Sequence, residues 1–381
     1  MKVLNISNDA KVADKDSQVA QRISEYGELV ERYSVLVLAE SDKFFQLNKS
    51  TDVFAIAESN AFLNALKLKK QAKKILRSDD YDVITVQDAY VIGSIAAKLA
   101  KKFKLGLEVQ VHGFEKLTFF NKLLARRVFK KAGSIRVVSE RLKKKLIEEF
   151  NVLFEKINVI PIFVETRFDP ESRVPSPEYS GRYGTGPRTA MPAPSADEFV
   201  FLSVGRMVEV KNIELQIKAL ASIINDYPQA RLWIVGDGPE RNKLEARSKE
   251  LEIQEKVKFF GWQVSQWQFY KQAHAFLLTS NSEGWGMAVV EAAQAGLPVI
   301  MTDVGLAGEV IKNNESGIVI SVGDQRALEQ AMIKLIDDSE LRKKLGEKAF
   351  EAVQKLPSQE QTIKKMISSW EKATKKTEKK R

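Results

Sequence analysis

The stretch Ala275-Phe276-Leu277-Leu278-Thr279-Ser280-Asn281-Ser282-Glu283-Gly284-Trp285-Gly286-Met287-Ala288-Val289-Val290-Glu291 changes its structural period part-way along. Ala275–Leu278 is a short apolar run, as a buried strand requires. From Met287 to Ala295 the spacing predicts a helix, and Pro298–Met301 reads as the next strand. Strand, helix and strand in succession imply a parallel pair with a crossover. Gly284 and Gly286 sit between the first strand and the helix. A helix that starts on such a turn leaves free N–H groups and the positive end of its dipole for an anion such as phosphate. Glu283 precedes this helix and Glu291 lies one turn inside it, at most about 12 Å apart if the stretch is helical throughout.

The same rhythm runs outward in both directions. Strands are predicted at Phe199–Val204, Arg231–Val235 and Val257–Phe260, and helices at 213–226, 239–251 and 265–273. Each strand ends on a glycine: Gly205-Arg206 with Lys211 after it, Gly236-Asp237-Gly238-Pro239, and Gly261-Trp262. Any one of these alone reads as an ordinary turn. The first half alternates as well. Strands are expected at Lys2–Ser7, Tyr33–Leu38, Val83–Gln87, Leu107–Val111 and Ile135–Ser139, and helices at 17–32, 61–77, 91–103 and 118–131. Between the halves, residues 170–194 hold six of the chain's eleven prolines, with Gly181, Gly184 and Gly186. The fold expected is α/β, with two Rossmann-like doubly wound domains facing across a cleft, the default ligand site. The bounds are 1–167 for an acceptor domain with a crossing helix 358–372, 168–197 for a linker, 198–357 for a donor domain, and 373–381 for a disordered basic tail.

Composition narrows the chemistry. The 381 residues include no Cys, which excludes disulfides and thiolate catalysis, and two His, which argues against a His-rich metal site. No apolar run approaches the ~20 residues of a membrane span. The start, Met1–Ile6, turns polar too soon for a signal peptide, so a cytoplasmic protein is expected. The net charge of +10 is local: residues 116–145 hold eleven basic residues against one acidic, Glu140. A nucleic acid, an anionic membrane surface or solvated helix faces could each account for that window.

Taken together, Ser203-Val204-Gly205-Arg206 with Lys211, Val235–Pro239, Phe260-Gly261-Trp262 and the Glu283/Glu291 pair resemble the GT-B glycosyltransferases, specifically family four. In the first half, Leu107–Gly113 is similar to the family's strand ending in His, and Val137-Val138-Ser139-Glu140 to its strand-end serine. Three features depart from the pattern. The loop Asn8–Ala13 has no glycine, Ile160-Pro161 is not followed by Asn-Gly, and the linker is long. The resemblance implies a nucleotide-sugar donor, UDP- or GDP-linked, and a glycan or lipid-linked acceptor. It implies that Arg206, Lys211 and the N–H groups of Gly286, Met287 and Ala288 hold the donor diphosphate. Glu291, Gly236, Gly261 and Trp262 would meet the nucleoside, and His112 and Glu283 would be catalytic at the donor sugar. It also implies retention of configuration, here by front-face displacement with the leaving phosphate taking the acceptor proton, and no cofactor or metal. His274 is expected to be structural, and Asp80-Tyr81-Asp82 a surface turn.

On the predicted helix 118–131, Leu117, Phe120, Leu124 and Val128 form the expected buried side and Lys122, Arg126 and Lys130 a basic stripe. Phe119, Phe120, Lys122, Leu123, Arg126, Arg127 and Lys130 suit a membrane or acceptor surface, or a solvated face. A peripheral enzyme at the inner face of the membrane is expected. The alternatives are an inverting transferase with His112 as general base, a nucleotide-sugar epimerase, and a nucleic-acid-binding protein. No recognition helix or aromatic RNA-binding motif supports the last, and no nucleic-acid partner is expected.

Overall fold

A computed structural model describes residues 1–113, 118–164, 194–263 and 265–378, the side chains of Gln18 and of residues 376–378 excepted. Most of the expected linker, and Leu117, lie outside these residues. The chain divides into two units, residues 1–161 with 358–381, and residues 162–357.

Unit 1 runs β1 (Lys2–Ser7), α1 (Gln18–Glu28), β2 (Arg32–Ala39), β3 (Lys43–Asn48), β4 (Thr51–Ala57), α2 (Ala61–Ser78), β5 (Val83–Val86) and α3 (Val91–Phe103). It continues with β6 (Gly106–Val111), α4 (Phe119–Lys131), β7 (Ser134–Val137), α5 (Glu140–Phe150) and β8 (Ile157–Val159). The sheet order is β3-β4-β2-β1-β5-β6-β7-β8, parallel except for β3. The hairpin β3–β4 is absent from the sequence reading. β3 is a largely exposed edge strand, so it lacks the apolar run of its neighbours. Asn48 Oδ1 fixes its turn by accepting from Ser50 N–H at 2.9 Å. α1 stops at Glu28, short of the expected Arg32, because Glu31 N–H already bonds Met1 C=O at the start of the sheet.

Unit 2 runs β9 (Phe199–Val204), α6 (Ile213–Ile223), β10 (Ala230–Val235), α7 (Arg241–Glu250), β11 (Val257–Phe259), α8 (Trp267–Gln272), β12 (Ala275–Leu278) and α9 (Met287–Gln294). Then come β13 (Val299–Thr302), β14 (Ile318–Ile320), α10 (Gln325–Asp337) and α11 (Ser339–Gln354). All six strands are parallel, in the order β11-β10-β9-β12-β13-β14. The chain leaves β9 toward one edge and returns at β12 to build the other. The crevice between the ends of β9 and β12 is therefore the topological switch point, where doubly wound sheets bind ligands. Ile213, Ile217 and Leu220 of α6 recur at helical spacing and are buried in the core over the strands.

The last helix, α12 (Gln359–Glu378), belongs to unit 1. Ile363, Met366, Trp370 and Ala373 form its buried stripe. The sequence reading ended this helix at Lys372 and left the remainder as a disordered tail. The structure continues it to Glu378, because Ala373 is part of the core shared with Tyr33 and Val83.

Candidate functional site

The C-terminal edge of the unit 2 sheet is built from backbone. Gly205 N–H bonds Val235 C=O at 2.9 Å, and Gly236 N–H bonds Gly261 C=O at 2.8 Å. The turns after β9, β10 and β11 are thereby stitched into one surface. Gly236 has φ +134, and a Cβ there would stand 1.9 Å from Gly205 O. The glycine is thus demanded by the neighbouring turn, a reason the sequence reading did not supply. Pro239 does not open α7 as expected, since Glu240 N–H is drawn to Met207 C=O at 3.1 Å and the helix begins at Arg241. Trp262 is 66% exposed at this edge, its ring open to stacking.

Lys211 and Glu283 are brought together across the switch point. Lys211 Nζ donates to Glu283 Oε1 at 2.5 Å, and Ser280 Oγ donates to the same oxygen at 2.7 Å. Glu283 Oε2 has no partner among the described residues. Two further bonds lace these segments: Asn281 N–H to Val210 C=O at 2.7 Å, and Gln216 Nε2 to Thr279 Oγ1 at 2.8 Å. This cluster is therefore assembled within unit 2 alone. Ser203, Gly205, Lys211, Gln216, Thr279 and Ser280 line a small depression there. Arg206 is exposed and forms no ion pair among the described residues.

α9 opens on Gly286, whose φ of +105 gives a start with no side-chain cap. Its first intrahelical donor is Val289 N–H, to Gly286 C=O at 3.0 Å. The N–H groups of Met287 and Ala288 point out of the helix start, as the geometry of a first turn requires. Glu291, one turn in, accepts from Tyr270 Oη at 2.8 Å. Tyr270 escaped the sequence reading, as did Gln216 and the Thr279-Ser280 pair. Gln216 carried a signal, a polar side chain on the apolar face of α6.

In unit 1, His112 follows β6, and its Nε2 lies 3.4 Å from Gln110 Oε1. The surrounding chain, with Arg136 and Arg22 adding to it, pushes the imidazole pKa down to about 4. The residue as a whole is exposed at the end of β6. The ring is neutral at pH 7. Ser139 caps α5 by accepting from Leu142 N–H at 3.2 Å. His274 is structural. Its Nδ1 accepts from Val200 N–H at 3.0 Å, and its ring stacks on Phe199 at 5.0 Å. Asp80 and Asp82 are exposed in the turn before β5, at the opposite edge of the sheet from His112.

Two family descriptions match this chain, Glycosyltransferase Family 4 over residues 27–168 and Glycosyl transferases group 1 over residues 191–352. Between them they take in most of both units. The chain belongs to the GT-B glycosyltransferases. It is 34% identical over 151 residues to the lipopolysaccharide core biosynthesis glycosyltransferase LpsD of Rhizobium meliloti, covering 40% of this chain and 43% of LpsD. It is 33% identical over 175 residues to the N-acetyl-alpha-D-glucosaminyl L-malate synthase of Bacillus anthracis, covering 44% and 46% of the two. The match thus spans less than half the length of these curated relatives. The crystal structure of Anabaena HepE in complex with UDP superposes with a TM-score of 0.74 at 18% identity, over 97% of this chain and all of HepE. That likeness is one of fold.

The glycosyltransferase's basic helix differs from its sequence reading. Of its expected buried side, Val128 is buried and Leu124 half-buried, but Phe120 is 64% exposed, and Ala125 and Phe129 complete the buried face of α4 instead. A helix that docks through α3 on one flank and α5 on the other turns Phe129 inward, where it meets Phe150 edge to face at 5.4 Å between ring centroids. The stripe Lys122, Arg126, Lys130 is partly consumed. Lys122 Nζ lies 3.1 Å from Glu149 Oε2, and Arg126 Nη2 donates to Glu149 C=O at 2.8 Å. Arg127 and Lys130 remain exposed, and Phe119 is 88% exposed. Among the described residues, no helix is long and apolar enough to cross a membrane, and no group of three or more His, Asp or Glu could hold a metal ion.

Proposed function

We propose that the glycosyltransferase moves a hexosyl group from a nucleoside-diphosphate sugar to a glycan or lipid-linked acceptor. The setting proposed is the assembly of lipopolysaccharide or another cell-surface polysaccharide. The carrying observation is the uncapped start of α9 beside Arg206 and the Lys211–Glu283 pair, all at the switch point of unit 2. Cations and unused N–H groups, following neighbouring strands at that edge, suit a diphosphate. UDP in HepE and the lipopolysaccharide core role named for LpsD support the donor and the pathway class.

In this reading the bond between sugar C1 and the diphosphate oxygen breaks, and negative charge grows on the leaving phosphate. Arg206, Lys211 and the N–H groups of Met287 and Ala288 stabilise that charge without a metal. Lys211 has three N–H donors, so it can hold Glu283 and a phosphate oxygen together. Glu283 Oε2 accepts from donor-sugar hydroxyls, while Glu291 and Trp262 take the ribose and the base. The acceptor oxygen attacks from the face the diphosphate leaves, its proton passes to the leaving phosphate, and the configuration is retained. His112 contributes from unit 1.

The enzyme is proposed to work as a peripheral protein at the inner membrane face. Phe119, Phe120 and Leu123 of α4 support this, joined by exposed Phe62, Leu63 and Leu66 at the start of α2. Both helices begin at the C-terminal edge of the same sheet, with cations further along each. Co-flotation with anionic vesicles at low salt is expected, and none at any lipid charge removes the membrane proposal. The donor reading is tested by comparing UDP and GDP in thermal shift, then screening donor hydrolysis and product anomers. It fails if neither nucleotide raises Tm at millimolar concentration.

A further inference from the structure

One face of β6 carries an unusual load for a strand inside a parallel sheet: Glu108, Gln110 and, just past its end, His112. Glu108 is 0% exposed and Gln110 is 3% exposed. Glu108 accepts from three donors. Thr85 Oγ1 donates to its Oε2 at 2.6 Å, Trp370 Nε1 donates to the same oxygen at 3.0 Å, and Ser369 Oγ donates to Oε1. Two of these donors come from α12. The proton of Thr85 is thereby committed to Glu108, so its oxygen can only accept from the next group. That group is Gln110, whose Nε2 donates to Thr85 Oγ1 at 2.7 Å. With its N–H₂ turned to Thr85, Gln110 presents Oε1 to His112 Nε2 at 3.4 Å. A carbonyl oxygen accepts and cannot donate, so His112 must meet it with an N–H.

We infer that Gln110 is a positioning residue for His112, holding the imidazole as its Nε2–H tautomer through a one-way chain of hydrogen bonds anchored on buried Glu108. The chain leaves Nδ1 with its lone pair. His112 then meets a substrate as a hydrogen-bond acceptor for a hydroxyl group, and as a donor only after protonation. This rests on the proposed role of His112 at the sugar. The hydrogen-bond order itself is independent of that role, since every member lies in unit 1 and none is a substrate.

Histidine-selective ¹⁵N NMR of the whole protein tests it, because the chain has two histidines. His274 serves as the internal reference, since its Nδ1 accepts from Val200 N–H and its ring must also be the Nε2–H form. The wild-type His112 signal is expected as a single Nε2–H tautomer at pH 7. Gln110→Leu should give a tautomer mixture at His112, with His274 unchanged. Gln110→Glu keeps an acceptor facing the ring, and should keep the tautomer while raising the imidazole pKa. Thr85→Val frees the Gln110 amide to turn over and should again give a mixture, a second route should Gln110→Leu fold poorly. A wild-type Nδ1–H form, or an unchanged tautomer in both Gln110→Leu and Thr85→Val, overturns the inference. Wild-type turnover in His112→Ala, with the tautomers as expected, would instead strike the proposed role of His112 and leave the chain of bonds standing.

Discussion

The two sheets end in contrasting ways. In unit 1 the helix starts are capped by the protein's own side chains: Ser17 for α1, Asn60 for α2, Thr118 for α4 and Ser139 for α5. Asp88 does the same for α3, its Oδ1 accepting from Tyr90 and Gly93 N–H at 2.7 and 3.0 Å. In unit 2 the helices α6, α7, α8 and α9 have no side-chain cap. An absent cap forgoes about 1 kcal/mol of helix stability. Spread over four helices at one edge, that is a standing cost, and an anion can offset it on binding. The turns after β9 to β12 therefore leave backbone donors open to a ligand, although Asp324 and Asp338 cap α10 and α11 of the same unit, whereas the helix starts of unit 1 named above are closed by side chains.

The sharpest way to break this contrast is Gly236→Ala. The added methyl group would collide with Gly205 O at a position whose φ is already positive, and we expect unit 2 to lose on the order of 4 kcal/mol in thermal unfolding. Next in size is Arg206→Ala with Lys211→Ala. Turnover should fall about 100-fold or more, by the measure of other removed oxyanion donors, with Tm little changed. Near-wild-type activity would show that the unit 2 edge is not the anion site. Ser139→Ala should cost about 1 kcal/mol of stability, yet leave the nucleotide-induced shift in Tm intact. A reduced nucleotide shift there would blur the division of labour between the sheets.

The smallest effect concerns pH. Burial, with Arg342 behind it, lowers the His274 pKa below 6.5, so the folded state prefers the neutral ring. A group of this sign contributes stability that is complete above its unfolded pKa and is lost as pH falls from there through the folded pKa. Stability of unit 2 should decline below about pH 6.5, and His274→Phe should flatten that decline. An unchanged midpoint in denaturant titrations at pH 7 and pH 5 would mean that the folded chain protonates His274 as readily as the unfolded one, since a protonated Nδ1 cannot accept from Val200 N–H.

Much of this was legible because buried parallel strands advertise themselves. β1, β9 and β12 are rich in buried apolar residues, unbroken in β12 and interrupted at Asn5 in β1 and at Ser203 in β9, and their bounds match the reading. The edge strand β3 advertises nothing, since half of it faces water. The glycine and cation positions of unit 2 were readable as a set, because each follows a strand. That Lys211 and Glu283 share a hydrogen bond was not readable, since it depends on β9 and β12 being adjacent in space and 72 residues apart in sequence. The α4 surface misled for a related reason. A helical wheel ranks faces by composition, but Glu149 on the neighbouring α5 decides which cations stay in solvent.

The return of α12 to unit 1 sets an order of assembly. During synthesis, residues 162–357 leave the ribosome as one continuous stretch that can fold by itself, while the first 161 residues must wait for the last helix. Until then Glu108 lacks Ser369 and Trp370, and the apolar floor under Tyr33 lies open. The nascent chain therefore passes through a stage with a finished unit 2 and an unfinished unit 1. That stage is where a chaperone would be needed most, and where a chain that stops short of Trp370 would be handed to proteases.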